Sequence, residues 1–164
     1  MKKILKYFFG LALCLTLMAC TGWHLRNQVE LSEKLQKLAI SPDDPYSPLQ
    51  QQLRNDLLAQ GVQLVSLAEK PSAILQLDQE NFVITPLIIG RSGEPVENKL
   101  QYSLVITVVD DKGNKLLARQ SVLVERILRD NPNALLSSQE EERILQEEMR
   151  KDVVNQVLRR LEKA

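Results

Sequence analysis

Cys20 is the residue most clearly placed to undergo chemistry, because a sequence typical of an export signal leads directly to its thiol. Three lysines precede an apolar stretch over residues 7–18, and the small Ala19 lies immediately before the cysteine. The stretch is too short to span a bilayer, which needs about 20 apolar residues. A charged segment, an apolar segment and a small residue together predict a signal peptide over residues 1–19 that is removed before Cys20.

The four residues Leu17-Met18-Ala19-Cys20 resemble the lipobox of bacterial lipoproteins. This resemblance implies that the thiol receives a diacylglycerol and that the freed amine receives a further acyl chain. The alternative is an ordinary secretory signal that ends near a cysteine by chance. Because Cys14 is lost with the leader, the mature chain retains one cysteine and cannot form an intramolecular disulfide.

The mature chain offers little that could support catalysis. His24, the only histidine, lies close to Cys20, a poor place to build the water-excluding pocket that a catalytic base needs. One histidine without a free cysteine cannot complete a zinc shell. The acidic runs at 140–142 and 147–148 are typical of the solvated face of a helix. We therefore interpret the chain as a binding or assembly protein without a metal or cofactor.

Charge argues against a nucleic-acid partner. The predicted leader contains three of the 21 basic residues and none of the 21 acidic ones, so the mature chain is slightly acidic. The length that remains suits one domain. We predict a lipidated tether over residues 20–34 and a single domain over residues 35–164.

A short strand and a helix are predicted at the start of this domain. Apolar residues between positions 35 and 40 indicate the strand. The helix is expected to begin after Ser47, with Pro48 at its first position and Gln50 closing a capping box. Gly61 is expected to end the helix in a left-handed conformation.

Three long extended segments should follow. The first covers residues 73–89 and leads into a loop over residues 90–95 that is rich in glycine and proline. Alternating apolar residues over 100–108 indicate a half-buried strand, and a tight turn over 110–114 leads to a returning strand over 116–124. This order predicts a parallel crossover between the first two strands, followed by an antiparallel meander.

A long amphipathic helix should close the domain. Ser138 and Glu141 suggest a capping box at its start. Its apolar stripe consists of Ile144, Leu145, Met149, Val153, Val157 and Leu161. The fold class is therefore predicted as α+β, a two-layer sandwich in the order β-α-β-β-β-α, with two helices on one face of a four-stranded mixed sheet. We expect no run of exposed large apolar residues outside its core.

Several motifs, in this order, resemble the family of the lipopolysaccharide-assembly lipoprotein LptE, formerly RlpB. The motifs are Cys20 followed by Gly22-Trp23-His24-Leu25-Arg26, then Ser47-Pro48-Leu49 with Arg54, Gly61-Val62, the Arg91 hairpin, the Tyr102 strand and Asp130-Asn131-Pro132. The resemblance implies a non-catalytic subunit of the translocon that inserts lipopolysaccharide into the outer membrane. Such a subunit sits as a plug in the β-barrel LptD, aids the folding of that barrel and binds lipopolysaccharide.

The resemblance also assigns the anchor to the outer membrane. Thr21 follows the cysteine where an aspartate would retain a lipoprotein at the inner membrane. Several acyl chains together would give a stable anchor in outer-membrane lipid. We assign Trp23 and Arg26 to the membrane-proximal tether, since an amphipathic ring fits the headgroup level.

Arg91 matches the arginine of the family's hairpin, and a guanidinium suits the phosphates of lipopolysaccharide through its forked donors. The family has a second basic residue after the Asn-Pro turn, but Ser137 and Ser138 stand in that region here. Arg126 or Arg129 could substitute for it. Two other functions stay open, a free-standing periplasmic carrier of lipid or glycan and, less favoured for want of a catalytic constellation, a hydrolase of envelope substrates.

Overall fold

The computed structural model describes residues 33–42, 44–129 and 135–164, without the side chains of residue 33 and residues 135–137. Several predicted features lie outside these residues: the leader, most of the tether, Cys20, Trp23, His24 and Arg26. In the described part, the elements are β1 (Lys37–Ser41), α1 (Pro48–Ala59), β2 (Gln63–Leu64), β3 (Ala73–Ile89), β4 (Pro95–Asp110), β5 (Lys115–Arg129) and α2 (Leu135–Leu161). Short 3-10 turns occupy Glu33–Leu35 and Leu67–Glu69.

The strands form one mixed sheet in the order β2-β1-β3-β4-β5. Strand β1 pairs in parallel with both β2 and β3, whereas β3, β4 and β5 pair antiparallel. The predicted α+β class, parallel pairing and meander are thereby confirmed. The predicted number of four strands is wrong, because β2 lies along the outer side of β1. With two residues, β2 is too short to produce a recognisable alternation in the sequence.

A single apolar core lies between the sheet and the helices. Alternate residues of β4 face it, which are Leu100, Tyr102, Leu104, Ile106 and Val108, and all of them are buried. Helix α1 contributes Leu49, Leu53 and Leu57, at the spacing of one helical face. The C-terminal half of α2 contributes a second stripe, and this helix packs mainly on β5 and β4.

Helix α1 begins as predicted, but the role of Gln50 differs. The Ser47 hydroxyl accepts a hydrogen bond from the Gln50 backbone N–H at 3.3 Å, with Pro48 in the first turn. The Gln50 side chain does not close a capping box. It is buried, accepts from the Asp44 N–H at 3.1 Å and donates to the Pro42 carbonyl at 3.0 Å. It therefore braces the loop between β1 and α1. Gly61 has the predicted positive φ, 82°.

Helix α2 begins earlier than the predicted capping box. Its first residue is Leu135, so Ser138 and Glu141 lie inside the helix. Leucine is a strong helix former, which explains why the helix extends towards Pro132 beyond the serine. The predicted apolar stripe is buried from Met149 onward, whereas Ile144, one of its first members, is exposed.

Strand β3 has two different environments along its length. Its first residues pair with β1 as far as Gln76, and Ala73, Leu75 and Leu77 are buried. Beyond that point β3 pairs with β4 alone among the described strands, over a length of about 40 Å. This second half ends in the loop that contains Arg91.

Candidate functional site

The loop that joins β3 to β4 is a closed turn. The Gly90 N–H donates to the Glu94 carbonyl at 2.7 Å, and the Gly93 N–H donates to the Gly90 carbonyl at 3.0 Å. Gly93 has a φ of 85°, which favours glycine. A Cβ on Gly90 would lie 2.9 Å from a methyl group of Val96, so a larger residue here would force Val96 to move. The turn therefore presents its remaining side chains outward on a defined backbone.

Arg91 lies at the tip of this turn and is exposed. Among the described residues, its guanidinium has neither an ion pair nor a hydrogen bond, even with Glu94 in the same turn. Its forked donors are therefore available to an anion. The sequence predicted both the hairpin and the place of this arginine within it.

Arg126, in contrast, is committed within the protein. Its side chain forms an ion pair with Asp152 of α2 and also donates to the Glu125 carbonyl at 2.9 Å. In the register of the sheet it lies opposite Leu100, whose side chain faces the core. Arg126 therefore ties α2 to the edge strand β5, and a ligand would have to compete with Asp152 for its guanidinium.

Arg129 is intermediate between these two cases. It ends β5 opposite Glu97, and its Nε donates to that carboxylate at 2.9 Å. The Arg129 side chain is 83% exposed, and such surface pairs contribute about 0 to 1 kcal/mol. Because Glu97 also pairs with Ile88 of β3, Arg129 lies at the same end of the sheet as the Arg91 turn. Arg91 and Arg129 thus lie at the same end of the sheet, whereas the Arg126 side chain is bonded to α2.

Ser138 lies in the first turns of α2 and is half-buried, and it makes an interaction within the protein. The side chain of Ser137 is not among those that the structure describes. Neither residue supplies a cation in the region where the family has a second basic residue. A two-point basic clamp in this chain would therefore pair Arg91 with Arg129 more readily than with Arg126.

One prominent feature was not predicted, and it contradicts the expectation of a surface without apolar runs. Five large aliphatic side chains on the second half of β3 are exposed: Val83, Ile84, Leu87, Ile88 and Ile89. We call these five residues the β3 strip. The sequence from residue 81 to residue 90 contains no charged side chain. The strip occupies both faces of β3, because Ile84 pairs with the buried Leu100 whereas Val83 pairs with Gln101 on the open face. An apolar run of this kind usually indicates a strand buried on both faces, so its exposure here is unusual.

A bulge separates the strip from the buried half of β3. The register shifts between Asp78 and Asn81, and Gln79 adopts a φ of 51°. The Glu80 carboxylate, which lies in the bulge, accepts a hydrogen bond from the Tyr102 hydroxyl. Burial, together with the hydrogen bond to Glu80, raises the pKa of Tyr102 above its usual value of 10.0, while Arg150 acts in the opposite direction. Tyr102 also packs on Phe82, with ring centroids 5.8 Å apart.

Two cavities elsewhere in the described structure are lined mostly by polar or charged residues. One, of about 500 Å³, lies at the opposite end of the sheet and is lined by Lys34, Lys70, Pro71, Ser72, Asp110, Asp111 and Leu116. The other, of about 370 Å³, lies between β5 and α2, and Arg126, Asp152 and Arg159 are among its lining residues. Neither provides an enclosed apolar space for an acyl chain.

Metal and membrane features can be assessed for the described residues only. Within them, no group of three or more histidine, cysteine or carboxylate side chains could hold a metal ion. None of the helices in the same part of the chain is long and apolar enough to cross a membrane.

The geometry defines a class of protein: a small α+β sandwich in which β3, β4 and β5 extend beyond the end of β1 as an arm. The turn at the tip of this arm carries a cation that has no partner among the described residues. The lipopolysaccharide-assembly family LptE matches residues 35–161. An LPS-assembly lipoprotein LptE of Photorhabdus laumondii is 28% identical over 159 residues, covering 97% of this chain and 85% of that protein. One of Yersinia pestis is 31% identical over 160 residues, covering 97% of this chain and 75% of that protein.

A solved structure has the same fold. The solution structure of lipoprotein B from Nitrosomonas europaea, described as uncharacterized, aligns with a TM-score of 0.68 at 27% identity. It covers 85% of this chain and 89% of that structure. The chain belongs to the LptE family, and its role lies in lipopolysaccharide assembly.

Proposed function

We propose that the chain is a non-catalytic subunit of the outer-membrane lipopolysaccharide translocon. In this role it is anchored by acyl chains on Cys20, sits as a plug in the β-barrel LptD, aids assembly of that barrel and binds lipopolysaccharide. The observation that carries the proposal is Arg91, an exposed cation with no partner among the described residues, at the tip of a rigid turn in a member of this family.

The face of the sheet turned away from the helices supports a location inside a barrel. On β4 this open face carries Glu97, Lys99, Gln101 and Ser103, which alternate with buried residues. Lys99 pairs with Glu125 of β5 at 3.5 Å. These polar groups and the ion pair suit the polar lumen of a large outer-membrane barrel. The same face also exposes the aliphatic side chains of Val83, Leu123 and Ile127, so it is mixed in polarity.

Co-purification tests the barrel partnership. The mature chain, tagged at its C-terminus, would be isolated from detergent-solubilised outer membranes of the native host. We expect a large β-barrel protein to remain bound after washing. If the chain is recovered alone from both outer and inner membrane fractions, the plug is excluded.

Charge reversal at the hairpin tip tests ligand binding. Arg91→Asp should weaken binding of lipopolysaccharide while leaving the fold and barrel association intact, because the side chain has no partner within the described protein. Lys112→Asp is the matched control, since Lys112 is exposed in the hairpin at the opposite end of the sheet. Equal binding by both variants would remove Arg91 from the site.

Mass spectrometry of the N-terminus tests the anchor. Protein from the native host should lack residues 1–19 and should carry the mass of several acyl chains on Cys20. An intact leader or an unmodified cysteine would contradict outer-membrane anchoring through this residue. Globomycin, which blocks cleavage of lipoprotein leaders, should preserve the leader and provides a positive control.

A free-standing carrier of lipid or glycan is the second candidate. Such a carrier would remain a stable monomer without a barrel and would enclose its ligand in an apolar cavity. The two cavities described above, with their mostly polar and charged lining residues, do not favour it. Recovery of a monomer with one bound lipid, and of no barrel, would favour the carrier over the plug.

A further inference from the structure

The β3 strip is the most unusual surface of the described protein. Among directly paired residues of the arm, Ile84 is 37% exposed whereas its neighbour Leu100 is fully buried. The difference arises because α2 packs mainly on β5 and β4, and β1 ends opposite Gln76. The strip therefore extends past β1 at the sheet edge and past the part of the sheet that α2 covers. Its side chains are exposed on both faces of β3, and exposed aliphatic side chains in this position call for an occupant.

The outer edge of the strip is poorly suited to a protein strand. Pro86 lies in its middle and lacks the N–H that a pairing strand would need. The register with β4 shifts between Pro86 and Ile88 and again between Ile88 and Ile89. Bulges and proline are the devices by which open edges avoid pairing with another chain. These features argue against an added strand from a partner or from a second copy of this chain.

Charge identifies a different occupant. The strip leads without an intervening charged residue to Arg91, whose guanidinium has no partner among the described residues. Other cations at this end of the sheet, Lys99 and Arg129, are each paired with a carboxylate. An aliphatic surface that ends in an available cation complements a molecule with acyl chains and an anionic headgroup. Flexible chains also need no regular backbone ladder.

We propose that the β3 strip binds the acyl chains of lipopolysaccharide while Arg91 binds a phosphate of its headgroup. This inference rests on the proposed function, and it adds a second, apolar part to the site. Leu87, Ile88 and Ile89 directly precede the turn, so a chain that leaves the headgroup meets them first. The closed turn fixes the backbone that connects the two parts.

The test separates the two parts with paired ligands. The whole mature chain would be immobilised, and binding would be measured for intact lipopolysaccharide and for the fully deacylated form, which keeps its phosphates. The variant Leu87→Ser/Ile88→Ser removes two strip side chains that are 48% and 49% exposed. Its control is Leu58→Ser/Leu67→Ser, which removes leucines that are 55% and 51% exposed elsewhere.

We expect the strip variant to bind intact lipopolysaccharide about tenfold more weakly, in keeping with the loss of two partly exposed aliphatic contacts. Its binding of the deacylated form should not change. Arg91→Gln should weaken binding of both forms, and the control variant should match the wild-type protein. Unchanged binding of intact lipopolysaccharide by the strip variant would overturn the inference.

Three further outcomes would also overturn it. If the strip variant loses its co-purifying barrel, the strip is a protein interface. If wild-type protein binds phosphatidylglycerol vesicles as tightly as lipopolysaccharide, and both depend equally on the strip, the occupant is the membrane surface. If wild-type protein binds none of the three probes, lipopolysaccharide binding in the proposed function fails as well. If the wild type and the strip variant bind intact lipopolysaccharide equally well, this inference fails but the proposed function does not.

Discussion

The two halves of strand β3 differ in almost every property except their backbone conformation. In the first half, Ala73, Leu75 and Leu77 alternate with more exposed residues and are buried in the core. In the second half, an uncharged apolar run continues for several residues, yet most of its side chains are exposed. The first half has the pattern and the surroundings of a structural strand. The second has the composition of a buried strand without the cover, as the proposed contact with acyl chains requires.

The same leucine-to-alanine change in each half gives the largest expected contrast. Leu75→Ala should lower the free energy of unfolding by about 2 to 5 kcal/mol, since it opens a cavity in the core. Leu87→Ala should lower it by less than about 1 kcal/mol, because this side chain is half exposed. Urea titration followed by circular dichroism measures both values. Similar decreases in the free energy of unfolding for the two variants would mean that the second half of β3 is as much a part of the folding core as the first.

Gln50 provides the next test, which concerns the support of the buried first half of β3. The first half of β3 depends on β1, and the chain leaves β1 through the loop that the buried Gln50 side chain braces at Pro42 and Asp44. Gln50→Ala should cost about 1 to 3 kcal/mol, because it leaves two backbone groups without a partner. Gln51→Ala, at an exposed position of the same helix, is the control. A loss no greater than that of the control would show that water replaces Gln50 without penalty.

Local patterns in the sequence predicted most of the fold. Alternation over residues 100–108 identified the central strand, and the glycines at 61 and 113 mark turns with φ of 82°. These features depend on neighbours in the chain. The two-residue strand β2 was missed because its existence depends on pairing with β1, which no local pattern reports.

The candidate site was predictable in part, for the same reason. The turn and its arginine are local, and Arg91 was correctly placed at the tip. Whether Arg126 and Arg129 are available depends on the carboxylates opposite them, Asp152 and Glu97, which are more than 20 residues away along the chain. The exposure of the β3 strip depends on where β1 ends and where α2 lies. The sequence did contain one signal for this exposure. The uncharged run over residues 81–90 continues well beyond the part of β3 that the short strand β1 can pair with.

Tyr102 lies at the boundary between the two halves and gives a smaller effect. Tyr102→Phe removes the hydrogen bond to Glu80 in the bulge and should cost about 0.5 to 1.5 kcal/mol near neutral pH. The folded state holds the pKa of Tyr102 above its usual value, so the stabilisation is complete below about pH 10 and is lost as the pH rises further. Wild-type and variant stabilities should therefore converge in alkaline solution. A constant difference up to pH 11 would contradict this account.

The ion pair between Arg129 and Glu97 gives the smallest expected effect and tests how readily the arm can release a cation. Because Arg129 is largely exposed, a double-mutant cycle with Arg129→Ala and Glu97→Ala should give a coupling energy below about 1 kcal/mol. A weak coupling means that a phosphate could displace Glu97 from Arg129 at little cost. This end of the sheet would then supply two cations to a ligand, Arg91 directly and Arg129 after its ion pair with Glu97 breaks. A coupling above about 2 kcal/mol would assign Arg129 to the structure of the arm and leave Arg91 as its single available cation.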